Sequence, residues 1–213
     1  MSRAILLTRP EHDDTTHYLS NWSIEFIDLA EKRNFNVYDL KGKKAIRKQV
    51  EGHLSSNPSL VIFNGHGDVN VICGYLNEPL IILGKNEGYL KSKIVYARSC
   101  KSAEELGRKS QALAYIGYKE DFIFFYEPKK ITKPLTDETA KMFLEPTNKL
   151  VTSLIKGNTV AESQKRSREL YIRTIKGILS SETSNENTSL VKYIWWNLKN
   201  QTVIGSENAK VED

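Results

Sequence analysis

Two short apolar runs constrain what this chain can become more than anything else in it. Leu60-Val61-Ile62-Phe63 and Ile94-Val95-Tyr96-Ala97 are rich in β-branched residues and show no polar alternation. Strands of that kind bury both faces, so they belong inside a mostly parallel sheet with helices on either side. Each run stops abruptly at small and chemically capable residues. Asn64-Gly65-His66-Gly67 follows the first, and Arg98-Ser99-Cys100-Lys101-Ser102 follows the second.

The flanking pattern has the same character. Residues 3–8 read as a first strand, ended by Arg9-Pro10, because proline restrains itself and the residue before it. Leu19, Trp22, Phe26, Leu29 and Ala30 recur at helical spacing, which predicts one helix capped near Asp13 and running to Arg33. A strand over 35–40 and a helix over 45–54 follow. Residues 70–83 form a plausible hairpin around Leu76-Asn77-Glu78, and 86–90 a helical turn. A helix is expected over 101–110, with strand runs at 112–118 and 122–126. Beyond Pro128 the pattern turns helical: 136–155 with an interruption at Pro146, then 159–179 opened by the capping box Thr159-Val160-Ala161-Glu162. A polar loop over 180–189 leads to the stripe Leu190, Val191, Ile194, Trp195 and Leu198. A short strand at 202–205 completes one domain over residues 1–205, and 206–213 reads as a polar tail. Strands alternating with helices place the chain in the α/β class.

Composition narrows the function classes. With 213 residues, 39% of them hydrophobic, the chain can build one core of ordinary size. The formal charge of +5 comes from basic residues spread along the chain, which favours a solvated surface over a nucleic-acid face. No apolar run approaches bilayer-spanning length, and the run over Ala4–Leu7 is far too short for a signal-peptide core. No membrane association and a cytoplasmic, reducing location are therefore expected, where a lone thiol is either catalytic or simply packed.

In parallel sheets, reactive groups collect beyond the carboxyl ends of the strands, and His66 and Cys100 both sit there. A cysteine nucleophile works as the thiolate, and a helix starting at Lys101 would favour the anion. His66 suits a general acid and base near neutral pH. The N–H groups of Gly67 and Cys100 are placed to hold an oxyanion. The remaining candidates are weaker. Cys73 reads as packing, and His12, His17 and His53 as solvent-facing. Neither a zinc-type spacing nor a phosphate loop is present, so neither metal nor organic cofactor is expected. Trp195 reads as core and Trp196 as a partner surface.

His-Gly after one buried strand and Ser-Cys after the next resembles the caspase–gingipain–separase group of cysteine peptidases, closest to prokaryotic CHAT-type domains. The resemblance takes in the insert after His66-Gly67, the Ala114–Tyr118 run and the turn at Gly157-Asn158 before a long helix. It implies a caspase-like α/β/α sandwich and a thiol endopeptidase that uses His66 and Cys100. It implies a protein substrate, a regulatory protein partner and no cofactor. It also implies that the position two before the cysteine, Arg98, lines the pocket for the residue preceding the cut. Arg98 would favour an acidic substrate residue. Asp121 falls near where related domains keep an acid that selects Arg or Lys, and the two assignments stay open. The chain departs from the caspase motif at residues 98–102, and it lacks the acid two before the cysteine that metacaspases and legumains carry. Two rivals remain: a scaffold on the same fold with an idle dyad, and a nucleotide- or flavin-binding protein using the same strand ends.

Overall fold

A computed structural model describes residues 2–180 and 185–211. The main sheet contains β1 (Ser2–Arg9), β2 (Asn36–Lys41), β3 (Pro58–Asn64), β7 (Ile94–Arg98), β8 (Ala114–Tyr118) and β9 (Gln201–Gly205). Their order across the sheet is β2-β1-β3-β7-β8-β9, parallel except for β9, which runs antiparallel to β8. A second sheet holds β4 (Gly67–Asp68), β5 (Val71–Cys73) and β6 (Pro79–Ile82), all antiparallel. It forms the insert between β3 and β7. The expected hairpin is present and gains β4 as a third strand.

The two apolar runs occupy the sheet interior because their side chains alternate between two cores. Leu60, Ile62, Ile94 and Tyr96 point to one face, and Val61, Phe63, Val95 and Ala97 to the other. The first core is closed by α2 (Ile24–Lys32) and α5 (Glu138–Ile155). The second is closed by α3 (Arg47–Leu54), the small sheet and α4 (Leu106–Lys109). The molecule is thus an α/β/α sandwich. Alternating burial on both faces is why neither run shows polar periodicity.

Several local expectations need correction. The helix expected over 13–33 is two, α1 (Asp14–Trp22) and α2, meeting at Ser23. The Ser23 hydroxyl bonds back to the Leu19 carbonyl at 2.6 Å, a contact that bends helices. Pro146 does not interrupt α5. The run 122–126 is not a strand. The Asn197 side-chain amide brackets Ile123 on both its N–H and its carbonyl, so a side chain does the pairing that a neighbouring strand would do. The polar loop expected at 180–189 falls partly outside the described residues; α6 (Val160–Ser180) and α7 (Asn185–Asn200) flank it. Trp195 is 56% exposed, while Ile194 and Leu198 of the same stripe are buried. Residues 206–211 do not trail away: Ala209 and Val211 are buried in the first core, and Ala209 accepts a hydrogen bond from the Val160 amide. Residues 212 and 213 of the expected tail lie outside the described residues. Among the described residues, no helix is long and apolar enough to cross a membrane.

Candidate active site

The register of β3 against β7 sets the site. Asn64 and Arg98 are partners at the carboxyl ends of these adjacent parallel strands. His66 and Cys100 each follow two residues later, so they leave the sheet from neighbouring loops on one edge. The loops are stitched together. Gly65 N–H meets the Arg98 carbonyl at 3.4 Å, and the Ser99 hydroxyl donates to the His66 carbonyl at 3.1 Å. Gly67 permits this approach, since a Cβ there would fall 1.9 Å from Ser99 Oγ and 2.7 Å from the Val71 carbonyl oxygen.

His66 is 40% exposed on its side chain, and its Nε2 lies 2.6 Å from Asp13 Oδ2. Asp13 caps α1: its Oδ1 accepts from the Thr16 amide at 2.8 Å, leaving Oδ2 for the imidazole. Burial alone would raise the Asp13 carboxyl. The hydrogen bonds from the Thr16 amide and from His66 outweigh it and hold the group below its usual range. The carboxylate is therefore ionised near neutral pH and holds the His66 ring in its orientation through this bond.

Cys100 is partly buried, and its sulfur lies 4.0 Å from the Phe122 carbonyl oxygen. Burial pushes the thiol up; the Asp121 carboxylate, by repulsion and by a hydrogen bond, pushes it the same way. The expected helix at Lys101 is absent, and with it the expected help to the thiolate. Lys101 takes φ +52°, its N–H goes to the Glu120 carbonyl and that of Ala103 to Tyr118, and helix begins only at Leu106. These amides tie the loop to the end of β8 instead of opening a helix towards the sulfur.

The strand register decides where the Gly67 N–H points. The Cys73 N–H donates to the His66 carbonyl at 2.9 Å, which makes His66 and Cys73 a hydrogen-bonded pair. Gly67, opposite Ile72, then occupies the next, non-hydrogen-bonded register, so its N–H faces away from β5. Among the described residues, no acceptor is found for the Cys100 N–H.

Arg98 does not line a pocket. It is 1% exposed, and its guanidinium is spent inside the protein. Nε donates to Asn64 Oδ1 at 2.6 Å, Nη1 to Thr147 and Asn148, and Nη2 to Ser23 Oγ and the Leu19 carbonyl. Strand alternation explains it: position 98 points into the sheet's helical face, two residues before the loop that carries the sulfur. Asp121 is the exposed member, with 54% of its side chain accessible and Lys101 Nζ at 3.5 Å. The Asp121 carboxylate raises the Lys101 ammonium most, and the negative charges of Asp68 and Glu120 act in the same direction. The Asp121 carbonyl also takes the indole N–H of Trp196 at 3.0 Å.

Sequence reasoning missed Asp13 and His12. His12 was expected to face solvent, yet its side chain is 6% exposed and its Nε2 lies 3.4 Å from Asp13 Oδ2. His17 bonds the Ile131 carbonyl at 3.0 Å, and His53 stacks on Tyr38 at 4.5 Å between centroids. Cys73 is only partly buried, and burial pushes its thiol up. Asp13 was legible as a cap; nothing in its spacing points to a histidine 53 positions away. A scan against family models finds no match for the chain, and a search of curated proteins finds none either.

Proposed function

We propose that the chain is a cysteine endopeptidase of the caspase-like type, with Cys100 as nucleophile, His66 as proton carrier and Asp13 as the group that positions His66. The observation that carries this reading is the in-register emergence of His66 and Cys100 from adjacent parallel strands, with the Gly67 N–H turned away from β5. The Cys100 sulfur adds to the substrate carbonyl as its proton passes to His66. The Gly67 and Cys100 amides receive the oxyanion. His66 then gives its proton to the leaving amine, and the acyl group rests on sulfur as a thioester. Water, deprotonated by the same imidazole, adds to the thioester and releases the carboxylate and the thiol. Asp13 stabilises the transient imidazolium.

With Arg98 occupied in the core, the charges left near the sulfur are the Lys101 ammonium and the carboxylates that act on it, Asp121 first and then Asp68 and Glu120. The reading is therefore cleavage after Lys or Arg, the substrate cation displacing Lys101 from Asp121. One observation favours an idle dyad instead. The sulfur lies 4.0 Å from the Phe122 carbonyl oxygen and His66 Nε2 bonds Asp13, and among the described residues no hydrogen bond joins the sulfur to the imidazole. Catalytic hydrogen bonds are often loose before substrate arrives, which is why the peptidase reading stands first. Fluorogenic peptides ending in Arg, Lys or Asp before the reporter test it. Arg and Lys substrates are expected to turn over, with Cys100→Ala and His66→Ala each lowering kcat by on the order of 10⁴. No turnover by the unaltered protein on any of the three would favour the scaffold.

A further inference from the structure

We infer that His12, Asp13 and His66 form a binding site for a zinc-class divalent cation. One donor atom from each of the three lies within 4.8 Å of the others, the cluster of this kind found among the described residues. A tetrahedral ion about 2.0–2.1 Å from nitrogen and oxygen donors holds those donors roughly 3.3 Å apart. The Asp13 Oδ2–His12 Nε2 separation is already 3.4 Å. The Asp13 Oδ2–His66 Nε2 separation is 2.6 Å, a hydrogen bond whose proton an ion would replace and release to solvent. That pair has to open by less than about 1 Å, and the partly exposed His66 ring has room to do so.

Two further features point to a ligand. The His12 side chain is only 6% exposed, and its Nδ1 has no hydrogen-bond partner among the described residues, so no bond at that nitrogen fixes the tautomer that Nε2 must adopt to present its lone pair to a cation. Tyr75 packs on the ring at 5.9 Å between centroids, and the hydrogen bond between Nε2 and the Asn77 side-chain oxygen at 3.3 Å is one that a bound cation would displace. Beside the cluster lies a cleft lined by Glu11, His12, Asp13, Asp14 and His17, which gives a cation an acidic approach. Two imidazoles and one carboxylate suit zinc, cobalt or nickel. Calcium and magnesium prefer all-oxygen shells. Three protein ligands leave a fourth position for water.

The consequence rests on the peptidase reading. His66 meets Asp13, and would meet a cation, through Nε2, which leaves Nδ1 as its proton carrier. A neutral ring bound through Nε2 holds its own proton on Nδ1 and has no lone pair there to accept that of the thiol, so an occupied site withdraws the imidazole from catalysis. Zinc would then act as a reversible off-switch, through residues that leave Cys100 free.

Titration of the full chain with Zn²⁺ against a chromogenic chelator, and with Co²⁺ followed by absorption, tests the site. One ion per chain is expected, with a Co²⁺ spectrum lacking thiolate charge-transfer bands. Cys100→Ala is expected to leave Zn²⁺ affinity unchanged, and His12→Ala to weaken it by on the order of 100-fold. The Co²⁺ spectrum of the unaltered protein needs no variant to fold. Absent saturable uptake, a thiolate band, or loss of uptake in Cys100→Ala would overturn the site. Uptake by a protein with no peptidase activity upholds the site and removes the peptidase reading alone; peptidase activity without uptake removes the site alone.

Discussion

At the scale of single residues, the site is defined by which charges are buried and which are left free. Arg98 and Asp121 are both candidates in the sequence for contact with a substrate side chain, and the fold separates them completely. The Arg98 guanidinium holds together β3, α1, the junction at Ser23 and α5 by donating to Asn64, Leu19, Ser23, Thr147 and Asn148. Removing it leaves several buried acceptors without donors, each costly in a low-dielectric interior. Arg98→Ala is expected to destabilise the fold by about 3–5 kcal/mol, read in thermal denaturation as a drop of roughly 10 °C. A loss under about 1 kcal/mol would mean the network is not formed. Asp121 acts by field instead. Its negative charge favours the protonated thiol of Cys100, so neutralising it must lower the thiol's titration point. In Asp121→Asn, the pH profile of iodoacetamide alkylation at Cys100 is expected to move to lower pH. A profile that stays in place would put the carboxylate too far from the sulfur to matter. The same variant should lose its preference for Lys and Arg before the cut.

At the scale of elements, the insert β4-β5-β6 and the loop after β7 form the device that aligns the site. Gly67 sits at their crossing. A methyl group there meets both Ser99 Oγ and the Val71 carbonyl oxygen, one from each side. Gly67→Ala is therefore expected to push the two loops apart and reduce peptide turnover by at least tenfold, with the fold retained in circular dichroism. Adding Ser99→Ala removes only the hydroxyl oxygen, so the double variant should recover little; full recovery would show that Val71 imposes no limit. This crossing also marks where the sequence stopped being readable. The insert was legible from its alternation, and the strands from their β-branched runs. The loop after Cys100 was not. Ala103 and Leu106 have helical spacing, but their amides go to Tyr118 and Val69. A local pattern cannot report that a distant carbonyl is the better partner. The split at Ser23 has the same origin, since that hydroxyl serves Asn64 and Arg98 as well as its own helix.

At the scale of the whole molecule, topology does what no motif could. The order β2-β1-β3-β7-β8-β9 places β3 and β7 side by side at the middle of the sheet, so two residues 34 positions apart leave it from adjacent loops. The α/β class and that adjacency were legible, because buried parallel strands announce themselves by composition. The third member was not: Asp13 enters from the loop after β1, through a capping role that reads as purely structural. The account's central claim is that the Cys100 sulfur becomes bonded to the substrate. Acid quench of the protein during turnover of an Arg ester, followed by peptide mass spectrometry, tests this directly. The account predicts an acyl group on the peptide containing Cys100, absent in Cys100→Ala. Continued hydrolysis by Cys100→Ala, or an acyl group carried on Cys73 instead, would contradict it.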